Sequence, residues 1–199
     1  MAAATDTWSM GTVVAIESDN VVAIAGDTRT VDGGTVTGTA TRVFALDTAA
    51  VGVVGKQGDV QAFERRVESE LDEQRLKRGE DLEIDEVARI AARHAEAAAV
   101  DAVISAMDRE GTARLRQVGS DGRVLDDDRV ALGSGAQVAY GQLEGLGSVD
   151  DPADAARAVV ETVIERDTAT GGDVDVLTVG GDTEDPVDTA ADGGKDGDS

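Results

Sequence analysis

What most limits the fold of this chain is the way its strand-like segments are grouped. Residues 12–17 and 21–25 are short β-branched runs separated only by Ser18, Asp19 and Asn20, a polar turn of hairpin length. Residues 41–46 and 49–54 repeat the arrangement around Asp47 and Thr48. A helix over 60–78 follows, because Val60, Phe63, Val67 and Leu71 recur at spacings of three and four and Gly79 ends the pattern. A second helix over 85–99 turns Val87, Ile90, Ala91 and Ala95 inward, with His94 beside that stripe as a boundary residue. Strand character returns at 100–107 and 114–118. Helices follow over 138–146 and from Asp151, which caps with Pro152 at the first helical position, and 174–179 is a last strand. Strands in runs with helices grouped between them predict an α+β fold of antiparallel sheets covered by helices, and argue against alternating βαβ units.

Composition narrows the function. The 199 residues suffice for one domain with a real core. Forty-one Asp and Glu against 18 Lys and Arg leave a formal net charge of -23, and only Lys56, Lys77 and Lys195 are lysines. Such a surface repels nucleic acid and anionic membranes and points to adaptation to concentrated salt. With no Cys and one His, thiolate chemistry and His-based metal clusters are excluded, and no cofactor or metal is expected. The Gly-rich stretches at Gly33-Gly34 and 52–58 match neither phosphate-binding glycine pattern. Asp126, Asp127 and Asp128 are read as a solvated acidic loop, since neighbours on an extended strand point to opposite faces. No segment reads as a signal peptide or a membrane span, so a cytoplasmic protein is expected.

Six segments occur in a telling order. They are Gly11-Thr12-Val13-Val14-Ala15-Ile16, Ala23-Ile24-Ala25-Gly26-Asp27-Thr28-Arg29, Arg42-Val43-Phe44, Gly55-Lys56-Gln57-Gly58-Asp59, Gly133-Ser134-Gly135 with Tyr140-Gly141, and Arg166-Asp167-Thr168-Ala169-Thr170-Gly171. Together they resemble the proteasome core-particle family on its β-subunit side, within the N-terminal-nucleophile hydrolases. The resemblance covers 11–181 and implies a four-layer αββα sandwich of two antiparallel sheets between helix layers. It also implies 1–10 as a short leader or propeptide-like segment, rings with proteasome-type subunits, and peptide substrates. Residues 182–199, with seven acidic residues and one Lys, read as a disordered acidic tail.

Active members of the family free a Thr by cutting a Gly-Thr bond; its hydroxyl attacks the scissile carbonyl while its own α-amine acts as base. Carried onto this chain, the resemblance makes Asp27 the partner of the family's catalytic Lys and Gly55 the oxyanion glycine. It makes Ser134, Asp167 and Thr170 the residues that hold the terminus. The Lys position itself is Arg42, which keeps the charge but cannot exchange a proton. Counting back from Asp27 without gaps puts Gly11 at the nucleophile position; a one-residue shorter first hairpin makes Thr12 the nucleophile. Three readings follow: a β-type subunit with reduced or absent catalysis, a self-processing threonine-type endopeptidase using Thr12, or a stand-alone amidohydrolase on the same fold. Val53 is expected to line a primary specificity pocket.

Overall fold

The computed structural model describes residues 11–32, 34–181 and 187–189. In chain order the elements are β1 (Thr12–Ser18), β2 (Val21–Asp27), β3 (Arg29–Asp32), β4 (Thr35–Thr39), β5 (Val43–Leu46), β6 (Ala49–Val54), α1 (Gln57–Arg78) and α2 (Ile84–Ala98). There follow β7 (Asp101–Met107), β8 (Ala113–Val118), β9 (Val124–Leu125), β10 (Arg129–Gly133), α3 (Ala136–Gly145), α4 (Pro152–Ile164), β11 (Val174–Gly180) and β12 (Val187–Thr189). One five-stranded antiparallel sheet runs β10-β1-β2-β11-β12 and a second runs β5-β6-β7-β8-β9, while β3 and β4 form a separate ribbon.

Strand alternation builds the layers. On β1, Val13 and Ala15 face the second sheet, in a cluster with Ile24, Val103, Leu115 and Val179; Val14 and Ile16 face α3 and α4, beside Leu143, Val160 and Val163. A third cluster lies between the second sheet and α1 and α2, around Val51, Phe63, Val87 and Ile104. The expected αββα sandwich is the observed one. The predicted stripe of α1 is fully inside, and Gly79 ends that helix at φ 75°. Asp151 accepts from the backbone N–H groups of Ala153 and Asp154, so the predicted cap of α4 is formed. His94 is half-buried at the α1–α2 seam and pairs with Glu70 at 2.8 Å, which is the boundary role. The three consecutive aspartates lie exposed in the loop between β9 and β10.

The structure also corrects the sequence reading. The ribbon and the edge strands β9, β10 and β12 were not anticipated, because short or exposed strands carry little periodic signal. The strand anticipated from residue 41 begins at Val43, since Arg42 turns inward as a charge partner. Within the acidic tail, Val187–Thr189 pairs with Leu177–Val179, so these three residues are strand; the rest of that segment and the leader 1–10 lie outside the described residues.

Side chains at the sheet ends join the layers. Glu17 accepts from the Leu115 N–H and pairs with Arg114, while the Asn20 side chain accepts from the Ala113 N–H. In the middle, Gly52 lets the sheets close: a Cβ there would lie 2.6 to 2.9 Å from methyl groups of Val13, Ile24 and Val103. Gly52→Ala is therefore expected to destabilise the chain by about 1–3 kcal/mol through overpacking. Urea unfolding at fixed salt measures this, and an unchanged midpoint would contradict the contact.

Candidate active site

The site forms where β1 begins and β2 ends. In the β1–β2 ladder Val13 lies opposite Gly26, which brings the first residue of β1 to Asp27 at the end of β2. The Thr12 N–H donates to Asp27 Oδ1 at 2.7 Å. The same carboxylate accepts from Arg42 Nε at 3.1 Å, from the Gly171 N–H at 2.8 Å and from the Arg29 N–H at 3.2 Å. Asp27 is wholly buried and Arg42 is 2% exposed, so this is an interior ion pair whose anion has four donors. Arg42 Nη2 also donates to the Arg29 carbonyl. Burial pushes the Asp27 carboxyl above the ordinary aspartate range, against the pull of the Thr12 and Gly171 N–H groups and of Arg42.

A second chain of hydrogen bonds starts at the Thr12 side chain. Its Oγ1 lies 2.7 Å from Thr170 Oγ1, and Thr170 Oγ1 donates to Asp167 Oδ2 at 2.7 Å. A hydroxyl has one proton, and that of Thr170 is committed to the carboxylate, so Thr12 must be the donor in their pair. Thr12 Oγ1 in turn accepts from the Gly135 N–H at 3.1 Å. Ser134 Oγ donates to the same Asp167 oxygen at 2.7 Å. Desolvation would raise the Asp167 carboxyl, but the Ser134 and Thr170 hydroxyls and the Ala169 N–H outweigh it and hold the group below its ordinary range. The Thr12 hydroxyl is fully buried and its proton points along this chain.

Position 11 lies beside the cation. A Cβ built on Gly11 would lie 2.1 Å from Arg42 Cζ, so the guanidinium fills the volume that any side chain at residue 11 would need. The Gly11 carbonyl accepts from the Ser134 N–H at 3.1 Å. Gly133 permits that approach: it has φ 94°, and a Cβ there would collide with the Gly11 carbonyl oxygen at 1.8 Å. Gly11 thus sits beside the cation, where the gap-free count puts the nucleophile, and Thr12 turns to the opposite side, toward Thr170.

Six of the residues singled out in the sequence, Thr12, Asp27, Arg42, Ser134, Asp167 and Thr170, meet in these two networks joined at Thr12. Gly55 does not join them; it is buried at the entry to α1, where a Cβ would meet Val100. Val53 is fully buried in the cluster beneath α1, because strand alternation directs it toward the helices. Three participants were missed. Arg29 donates to the carbonyls of Thr168 and Thr170 and lies where a side chain on Gly171 would be. Gly135 and Gly171 contribute backbone N–H groups. Arg29, Gly135 and Gly171 all lie inside quoted motifs, but an N–H donor leaves no mark in side-chain identity.

Asp27→Asn leaves a buried guanidinium without its counter-charge and is expected to cost about 3–5 kcal/mol, measured by denaturant unfolding. For Asp167 the sign is that of a lowered carboxyl: its contribution is present above the ordinary value of 3.8 and is lost as pH falls through the lower folded value. The stability difference between the native chain and Asp167→Asn should therefore shrink below pH 3.8, as read from unfolding midpoints across an acid series. A difference that stays constant across the series would show that the carboxylate is not held by these bonds.

Known proteins carry the same pattern. Residues 9–179 match the family described as "Proteasome subunit". A "Proteasome subunit beta" from Halomicrobium mukohataei is 33% identical over 181 residues, covering 86% of this chain and 76% of the relative. A "Proteasome subunit beta 2" from Haloterrigena turkmenica is 32% identical, covering 86% and 76%. A "Proteasome subunit beta 1" from Hyperthermus butylicus is 30% identical, covering 84% and 88%. With the family match and these identities running along most of its length, the chain belongs to the proteasome subunit family, as a member of the β type.

Proposed function

We propose that this chain is a β-type subunit of a proteasome-like ring, acting in intracellular protein degradation as a structural partner and not cutting peptides itself. The observation that carries this reading is Arg42 filling the side-chain volume of position 11. A nucleophile at that position has no room where the guanidinium is seated, and that planar fork of donors, which offers no acceptor, stands where the family carries a lysine ammonium.

The Gly11-Thr12 dipeptide favours a second reading, in which Thr12 is freed and attacks. The geometry opposes it. An amine released at Thr12 would stand 2.7 Å from the Asp27 carboxylate, held as ammonium and unfit to serve as base. The Thr12 hydroxyl is buried and already donates to Thr170, so substrate could not reach it without dismantling the network. Ring assembly rests on the likeness to named proteasome subunits. A cytoplasmic place accords with that likeness, and no helix among the described residues is long and apolar enough to cross a membrane.

Intact mass of the purified chain tests the proposal. Residues 7–10 should remain attached, and a threonine-directed covalent inhibitor should add no mass. A species starting at Thr12, or an inhibitor adduct, would overturn it. Gly11→Thr combined with Arg42→Lys returns a hydroxyl and a smaller cation to the junction. That pair is expected to yield chains cut before residue 11, whereas Gly11→Thr alone should stay uncut because Arg42 still fills the space. Sedimentation in concentrated salt should show a particle several-fold heavier than the single chain; a strict monomer would sink the ring.

A further inference from the structure

The outer helix layer carries an open pocket of about 430 Å³, walled by Arg65, Arg66, Ser69, Glu70 and Glu73 of α1 and by His94 of α2. Residues three and four apart are neighbours on a helix, so the α1 side chains share one flank of it. Both carboxylates of the pocket are already answered: Glu70 accepts from Arg93 and from His94, the latter at 2.8 Å, and Glu73 accepts from Lys77 at 2.6 Å. Arg65 and Arg66 are exposed and have neither an ion pair nor a hydrogen bond among the described residues; Arg65 acts on the Glu64 carboxyl only at longer range. Arg78, Arg109 and Arg123, which are also exposed, are paired with Glu86, Glu83 and Asp121. On a chain of net charge -23, two adjacent arginines left without a carboxylate form an uncommon surface.

The local balance favours an anion. Arg65, Arg66, Lys77 and Arg93 stand against Glu70 and Glu73, so cations outnumber carboxylates in and around the pocket. Guanidiniums present forks of donors that match the oxygens of phosphate, and Ser69 adds a hydroxyl on the same wall. No aromatic side chain lines the hollow to stack on a nucleobase. Its volume lies within the roughly 300–1,000 Å³ of small-molecule sites, which leaves space beside one phosphate for a small organic group. We propose that this pocket at the α1–α2 seam binds a small phosphate-bearing anion, held by Arg65 and Arg66 with Ser69 as a further donor. Glu70 keeps Arg93 and His94 in place across the seam, so the wall on α2 is set before the ligand arrives. A ligand that binds only the packed helix pair also stabilises it by mass action.

Equilibrium dialysis of the full chain against radiolabelled inorganic phosphate, in concentrated potassium chloride at fixed ionic strength and pH, reads the site directly. Uptake should saturate at about one phosphate per chain. Arg65→Gln and Arg66→Gln, both at exposed positions, should each weaken binding about tenfold without altering the far-ultraviolet circular dichroism, because each removes charge-assisted hydrogen bonds. Arg157→Gln removes an equal charge from α4, in the opposite helix layer, and should leave binding unchanged. If uptake does not saturate, or if Arg65→Gln and Arg66→Gln bind phosphate as the native chain does, the proposed site is wrong. A loss with Arg157→Gln as large as that with Arg66→Gln would show that uptake follows net charge alone, and would equally overturn it. None of these outcomes touches the non-cutting reading, which intact mass tests separately.

Discussion

The Asp27–Arg42 pair is the interaction on which the site depends. A wholly buried carboxylate is tolerable only with its oxygens occupied, and here donors arrive from four segments: the start of β1, the start of β3, the residue before β5 and the loop before β11. Each donor fixes its segment relative to the others. Removing the anion would take the acceptor from the Thr12 and Gly171 N–H groups and the charge partner at Asp27 from Arg42 at once, so the pair specifies the junction of the two sheets as much as it stabilises it.

Beside that pair the second network is complete. Asp167, Ser134 and Thr170 form a closed hydrogen-bonded set around Thr12, with each hydroxyl proton assigned. What differs is local and steric. A longer, forked cation has taken the space beside the backbone at residue 11, and a glycine there is what makes the substitution physically allowed. The two positions touch: a side chain at residue 11 would meet the Arg42 guanidinium where it is seated against Asp27.

Much of this was legible in sequence because it rests on periodicity. The α1 stripe of Val60, Phe63, Val67 and Leu71, the α2 stripe and the Asp151 cap follow from spacing alone, since buried faces repeat at 3.6 residues and caps need particular side chains. The ribbon of β3 and β4 was illegible, because β4 is exposed throughout and has no buried face to impose alternation. The packing of Gly55 and Val53 was illegible for a related reason: a glycine in a motif does not say which neighbour demands its smallness, and Val53 faces the helices by an alternation whose sense is set by pairing with β7.

By itself the sequence determined the antiparallel class and the acidic surface, and through its resemblance to a family of known pattern it marked the layer order and Asp27, Arg42, Ser134, Asp167 and Thr170 as residues worth bringing together. These depend on periodicity, charge and motif order, all local or additive properties. The register at the nucleophile was left undecided between Gly11 and Thr12, since one residue more or less in a hairpin looks alike in a string of letters. Only the tertiary structure decided which way the two residues face. A one-residue slip turns every side chain of β1 to the opposite face, and in the packed junction the Thr12 hydroxyl is seated against Thr170 while Arg42 fills the space beside Gly11, an arrangement made by contacts between segments far apart in the chain.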